Sequence, residues 1–310
     1  MFSVVFPGQG SQSVGMTKNL YNNFSYIKEL FKNADDILKQ PISKIILDGP
    51  QEELNLTENT QPAIFLASYS IYQLIKKETK QDLSKAKFFA GHSLGEYSAL
   101  VASESISFDQ SLKLLKVRGK SMQSAVPKGE GGMVAVLGSD IEIIKELLKK
   151  NIEKYKCFIA NDNSNGQLVV SGKNNDLNHF INDLKKEKIK NITLPVSAPF
   201  HCNLMRPATE IMKREIINTN FKNPKKTIIS NVTGEEVRES SQIKDLLIQQ
   251  IESPVRWRES VINMIKKGTK TFIEIGPGKV LSGLIKRINK DVEIISINEI
   301  EDLNKINLHD

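Results

Sequence analysis

The pentapeptide Gly91-His92-Ser93-Leu94-Gly95 constrains this chain more than any other segment, because of what brackets it. Lys87-Phe88-Phe89-Ala90 before it reads as a buried strand, and Glu96-Tyr97-Ser98-Ala99-Leu100-Val101-Ala102 after it as a helix. A Gly-x-Ser-x-Gly on a strand-to-helix turn is a nucleophile elbow, a bend that lifts the serine hydroxyl out at the top of a sheet. Small flanking glycines let the backbone turn sharply and let strand and helix approach closely. The serine also lies at a helix N-terminus, where unpaired N–H groups and the helix dipole favour developing negative charge. Ser93 is therefore a candidate nucleophile for acyl transfer.

The rest of the chain supplies the sheet that such an elbow needs. Strand and helix patterns alternate, as an α/β fold requires. Phe2 to Phe6 reads as a strand, Gln61 to Lys77 as a helix with Ala63, Leu66, Ala67 and Leu74 at helical spacing, and Phe108 to Ser124 as a further helix. The pattern then changes. Met133–Leu137, Cys157–Ala160, Gln167–Ser171 and Asn191–Val196 read as strands, with helices at Ile141–Lys150 and Asp176–Lys186. This β-α-β-β-α-β order is the ferredoxin-like motif. The expected architecture is a large α/β-hydrolase-like domain with a parallel-sheet core (residues 1–126 and 197–310) carrying an inserted ferredoxin-like subdomain (residues 127–196). After the insertion come a helix from about Asn203, a strand at Thr227–Ser230, helices near Ile243–Ile251 and Arg258–Lys267, a strand at Thr271–Ile275 and a closing helix.

A chain of 310 residues with 39% apolar and 25% charged residues has globular composition. Two cysteines, Cys157 and Cys202, make neither a disulfide framework nor a zinc cluster, so a reducing cytoplasm is expected and no metal or cofactor is implied. The opening Phe2-Ser3-Val4-Val5-Phe6 lacks the basic and long apolar regions of a leader, and no run approaches the roughly 18 apolar residues of a membrane span. The net charge of +7 is gathered in lysines at 185–188, 222–226 and 266–270. These read either as solvated helix ends or as the footprint of an acidic partner. Little aromatic interleaving argues against nucleic acid.

A serine nucleophile needs a base, and there are four histidines. His92 sits inside the elbow with its side chain directed away from that of Ser93, His179 falls on a charged helix, and His309 is the penultimate residue. His201 remains, in Ser197-Ala198-Pro199-Phe200-His201, where the insertion rejoins the larger domain. An ordinary α/β-hydrolase runs Ser, then Asp or Glu, then a late His; more than a hundred residues follow His201, which weakens an esterase reading. Arg118 lies three and four residues beyond Leu115 and Leu114, on or beside the apolar stripe Phe108, Leu112, Leu115 and Met122. A buried guanidinium is costly without an anion. Two partners are open: an internal Asp or Glu, or a carboxylate carried by the substrate.

With these residues in view, the chain resembles the malonyl-CoA:acyl carrier protein transacylases of type II fatty acid synthesis over essentially its whole length. The resemblance rests on Phe6-Pro7-Gly8-Gln9-Gly10-Ser11-Gln12, Gly91-His92-Ser93-Leu94-Gly95-Glu96-Tyr97, Gly132-Met133, Asn163-Ser164-Asn165-Gly166-Gln167 and Pro199-Phe200-His201. It continues through Ser230-Asn231-Val232-Thr233-Gly234, Ser253-Pro254-Val255-Arg256-Trp257 and Glu274-Ile275-Gly276-Pro277-Gly278-Lys279-Val280-Leu281, in family order and spacing. It implies Ser93 as nucleophile and His201 as base and then acid, with the imidazole held by a backbone carbonyl that maps onto Gln250. It also implies an oxyanion hole from the N–H groups of Gln9 and Leu94, and a carboxylate clamp at Arg118. Phe200 becomes a wall against α-branched acyl groups, and Met133, Asn161 and Gln167 line the cleft. The partners implied are malonyl-CoA and an acidic acyl carrier protein, and the free-standing length is read as a separate, monomeric enzyme. One departure stands out: Asn165 replaces a proline common in that turn, and asparagine tolerates turn geometry, positive φ included. Asp162 beside Asn161 places a carboxylate near a site meant to receive one.

Overall fold

Phe2-Ser3-Val4-Val5-Phe6 is buried at every position, the pattern of a strand covered on both faces. In the computed structural model, which describes residues 1–196 and 198–306, this strand, β1 (Phe2–Phe6), lies inside a six-stranded sheet. Four helices follow it: α1 (Lys18–Asn23), α2 (Ser25–Leu38), α3 (Ile42–Asp48) and α4 (Gln51–Leu54). The long α5 (Thr57–Glu78) then leads to β2 (Phe88–Gly91), which pairs parallel with β1, Phe6 opposite Gly91. Beyond β2 come α6 (Gly95–Ala102) and α7 (Phe108–Ser124). Ser93 thus sits just past the carboxyl end of an interior strand, where open parallel sheets place their ligands.

The chain next builds a second sheet from β3 (Gly131–Leu137), β4 (Cys157–Ser164), β5 (Gln167–Lys173) and β6 (Lys190–Thr193). Its order is β4-β5-β3-β6 and every pair is antiparallel. Helices α8 (Ile141–Lys150) and α9 (Asn174–Lys186) complete the β-α-β-β-α-β order. Their apolar stripes, including Ile144, Leu177, Phe180 and Leu184, bury Val134, Val136, Leu168 and Val170 in a core of their own. The first sheet resumes after α10 (Arg206–Asn218) with β7 (Thr227–Ile229), β8 (Glu236–Val237), α11 (Ser240–Gln250), α12 (Trp257–Lys266), β9 (Thr271–Ile275), α13 (Val280–Ile288) and β10 (Glu293–Ile297). Its order is β10-β9-β1-β2-β7-β8, parallel except between β7 and β8.

Several elements depart from their sequence-based bounds. Strand β4 continues to Ser164, four residues past Ala160, because its polar end pairs with β5 across two irregularities. The same stretch is gripped by the connection between α11 and α12: the Val255 N–H donates to the Ala160 carbonyl (2.8 Å) and the Asp162 N–H to the Val255 carbonyl (2.9 Å). Strand β6 ends at Thr193 rather than Val196; Leu194 still donates to Met133, but Pro195 has no N–H to extend the ladder. Helix α5 begins at Thr57, four residues ahead of Gln61, and α10 is entered through a 3₁₀ turn at Asn203–Met205. The expected closing helix, α13, does not close the fold, since β10 adds an edge strand after it.

Candidate active site

Backbone strain marks the elbow. Ser93 has φ 53°, a left-handed conformation that costs a non-glycine residue energy. A Cβ on Gly91 would lie 2.0 Å from the Gly95 carbonyl, and one on Gly95 2.3 Å from the Phe6 carbonyl oxygen. Only glycine lets β2, α6 and β1 approach this closely. The turn is pinned from outside by Asn231, whose Oδ1 accepts from the Ser93 N–H (2.7 Å) while its Nδ2 donates to the Gly91 carbonyl (2.7 Å).

His201 reaches Ser93 from the connection that leads out of the small sheet into α10. Its Nε2 is 2.8 Å from the Ser93 hydroxyl oxygen, and its Nδ1 is 2.8 Å from the Gln250 carbonyl. A carbonyl can only accept, so Nδ1 carries the proton and the Nε2 lone pair faces the hydroxyl. Burial, and then the positive charge of Arg118, push the His201 pKa down to about 3. The imidazole is therefore neutral at physiological pH and free to take a proton. His92 points elsewhere, its Nε2 2.8 Å from Asn163 Oδ1 and its ring tilted against Trp257. His179 is exposed, and His309 lies outside the described residues, as does Ser197.

Arg118 answers the question its position raised. Its side chain is 1% exposed, yet among the described residues no carboxylate pairs with it. Nη1 donates to Gln61 Oε1 (2.9 Å), and Nη2 to Gln250 Oε1 (2.9 Å) and to the Ser93 hydroxyl (3.2 Å). Nε has no acceptor. Burial lowers its pKa, but a guanidinium stays charged in proteins. A buried cation with only neutral partners, touching the serine, is suited to an anion brought from outside.

A cleft of about 350 Å³ opens over these groups and is lined by Ser93, His201, Arg118, Gln9, Leu94, Met133, Asn161, Gln167 and Phe200, among others. Every sequence-derived site residue except Gln250 reaches its wall. Gln250 lies beneath the floor, buried at 1% exposure. Gln9 and Leu94, the two residues expected to offer backbone N–H groups to an oxyanion, both line the cleft. Asp162 does not compete for Arg118, because Arg258 holds it with Nε–Oδ1, Nε–Oδ2 and Nη2–Oδ2 contacts of 2.9, 3.0 and 2.8 Å. In the Asn165 turn the positive φ falls on Gly166 (71°), so asparagine needs no special conformation. Cys202 donates its Sγ–H to the Pro199 carbonyl, and burial pushes the thiol up to about 12. Gln61, Asn231 and Glu96 were not foreseen as site residues. Gln61 carried a usable signal, being a polar side chain two positions before the apolar run Ala63-Ile64-Phe65-Leu66-Ala67.

A serine hydroxyl facing a neutral imidazole at the carboxyl edge of a parallel sheet is equipment for moving acyl groups, and the enzyme class is acyltransferase. The chain belongs to the acyl transferase domain family, whose model matches residues 3–303. The malonyl CoA-acyl carrier protein transacylase of Bacillus subtilis (strain 168) is 42% identical over 300 residues, covering 96% of this chain and 93% of that protein. Among solved structures, the acyl-carrier-protein-S-malonyltransferase of Bartonella henselae superposes with a TM-score of 0.95 at 39% identity over 98% of both chains. A malonyl-transacylase in complex with a type II PKS acyl-carrier protein superposes with a TM-score of 0.94 at 36% identity, again over 98% of both.

Proposed function

We propose that this enzyme moves a malonyl group from malonyl-CoA to the phosphopantetheine thiol of an acyl carrier protein, through a malonyl ester on Ser93, in fatty acid biosynthesis. The observation that carries this reading is Arg118, a buried guanidinium that pairs with no carboxylate among the described residues and lies 3.2 Å from the serine oxygen.

The geometry accounts for each half-reaction. His201 Nε2 removes the hydroxyl proton as Ser93 Oγ attacks the thioester carbonyl. The Gln9 and Leu94 N–H groups receive the oxyanion, each worth roughly 3 kcal/mol of barrier. As the C–S bond breaks, the imidazolium returns its proton to the departing CoA thiolate. The carrier thiol then enters by the same steps in reverse order. Gln250 fixes the imidazole through its carbonyl, so no acidic third member is needed. Arg118 pairs with the free malonyl carboxylate, which acetyl and longer acyl groups lack. Phe200 and Met133 limit width beside the α-carbon, and Asn161 and Gln167 line the approach.

We further assign residues 127–196 as the inserted subdomain and the remainder as the catalytic domain; Val255, strapped onto β4, supports a cleft between the two. Buried free thiols at Cys157 and Cys202 fit a reducing cytoplasm. The lysine clusters suit an acidic carrier, although Lys186, Lys225 and Lys267 already have internal carboxylate partners. Intact-protein mass spectrometry tests the reading. Malonyl-CoA alone should load Ser93, and added holo-carrier should unload it. An adduct lost equally fast without the carrier indicates a thioesterase instead.

A further inference from the structure

Glu96 is the neighbour of the elbow that the mechanism leaves unused. Its side chain is buried (3% exposed), and no cation pairs with it among the described residues. Its Oε2 accepts from the Asn231 N–H (3.1 Å) and from Gln250 Nε2 (2.8 Å). The same Gln250 side chain presents its Oε1 to Arg118 Nη2 (2.9 Å). One amide therefore stands between a buried carboxylate and a buried guanidinium, its oxygen toward the cation and its N–H toward the anion. That orientation is the favourable one for both charges. The amide is held in register by a second bond from Nε2 to the Ser93 carbonyl (3.1 Å) and a longer one to Asn231 Oδ1 (3.3 Å).

Resting on the malonyl reading above, we propose that Glu96 is the internal counter-charge of Arg118, relayed by the Gln250 amide, and that it competes with the substrate carboxylate for that guanidinium. The empty site balances one buried positive charge against one negative. A malonyl group adds a second anion, and in a poorly solvated site two carboxylates sharing one cation repel. Protonation of Glu96 relieves the conflict, so malonyl loading takes up a proton from solvent and acetyl loading does not. The coupling is reciprocal: the factor by which ionised Glu96 weakens malonyl binding is the factor by which malonyl favours Glu96 protonation. Glu96 touches no reacting atom and is a positioning and specificity residue.

The charge of Glu96 can change in the working range. Burial raises its pKa to about 7, against the lowering effects of the Asn231 N–H, the Gln250 amide and Arg118. The other charged and titratable groups around it do not change charge there. They are Arg118 from α7, which stays cationic; His201 from the loop before α10, pushed to about 3; Tyr97 on its own helix, pushed up to about 12; and His92, lowered by burial.

The experiment measures kcat/KM for acylation by malonyl-CoA and by acetyl-CoA from pH 6 to 8.5, in the wild-type enzyme and in Glu96→Gln. The ratio of the two cancels the shared ionisations of Ser93, His201 and CoA. The wild-type malonyl-to-acetyl ratio is expected to rise roughly tenfold as pH falls through 7, because the competing carboxylate is lost below its pKa. Glu96→Gln, which keeps both acceptor contacts, is expected to hold the high ratio at every pH. A wild-type ratio that is flat with pH overturns the proposal, even if the variant does not fold. An equal fall in both activities in Glu96→Gln, with its ratio still following pH, also overturns it. Failure of malonyl to load at any pH overturns the functional reading itself, and the proposal with it.

Discussion

Two buried carboxylates and two arginines lie within this molecule's central region, arranged in opposite ways. At the junction of the two sheets, Asp162 and Arg258 meet directly through three contacts of 2.8–3.0 Å. Beneath the elbow, Glu96 and Arg118 are both more deeply buried, yet the Gln250 side chain holds them apart. The direct pair satisfies itself and ties β4 to α12. The separated pair leaves guanidinium donors with neutral partners beside a reactive hydroxyl. Burial of charge alone therefore does not distinguish scaffold from site; what matters is whether the charge has already found its opposite.

The largest effect expected from breaking this contrast is at Arg118. Arg118→Ala should lower kcat/KM for malonyl-CoA by about 10³- to 10⁴-fold, since a site built around a polar group depends on pairing it. Acetyl transfer should be preserved or rise, and equal loss of both substrates in steady-state assays contradicts the clamp. The matching change at the direct pair, Arg258→Ala, should act on stability. It should cost about 1–3 kcal/mol in chemical denaturation, reduced from a fully buried pair because the Arg258 side chain is 28% exposed. The malonyl-to-acetyl ratio should be unchanged.

The two regions should also differ in their response to pH. His201 is pushed down to about 3, first by burial and then by Arg118. A lowered histidine pKa delays protonation to lower pH, so the free enzyme should keep its base down to about pH 5. An ordinary histidine would by then have lost roughly thirtyfold of its neutral form. Acylation rates with acetyl-CoA, which are independent of Glu96, should by rapid quench stay level from pH 7 to that point, and Arg118→Ala should move the acid limb upward. The smallest effect is expected at Phe200: Phe200→Ala should improve methylmalonyl relative to malonyl by roughly tenfold, about what one methyl group decides. Competition between the two thioesters measures it.

The elbow was legible because its glycines are sterically required, and a required residue leaves a local pattern. His201 could be reached by elimination among four histidines, and Arg118 by its helical phase beside leucines. The roles of Glu96 and the Gln250 side chain were not legible, because 154 positions of sequence separate partners that only the fold brings together. Strand β4 was read short because Asn161-Asp162-Asn163 looks like a loop. All three side chains are buried, and Asp162 and Asn163 are paired with Arg258 and His92, which a hydrophobic pattern does not report. The parallel sheet announced itself in apolar runs such as Phe2–Phe6, whereas β10, with Glu293 at its head and an unpaired edge, gave no comparable run.

Selection of an acyl group by its carboxylate at Arg118 is what the proposed reaction rests on. The direct measurement is a competition: equal malonyl-CoA and acetyl-CoA in one tube, quenched early, with the adducts on Ser93 counted by mass. The account predicts an overwhelmingly malonylated serine. An even mixture, or an acetylated one, contradicts it.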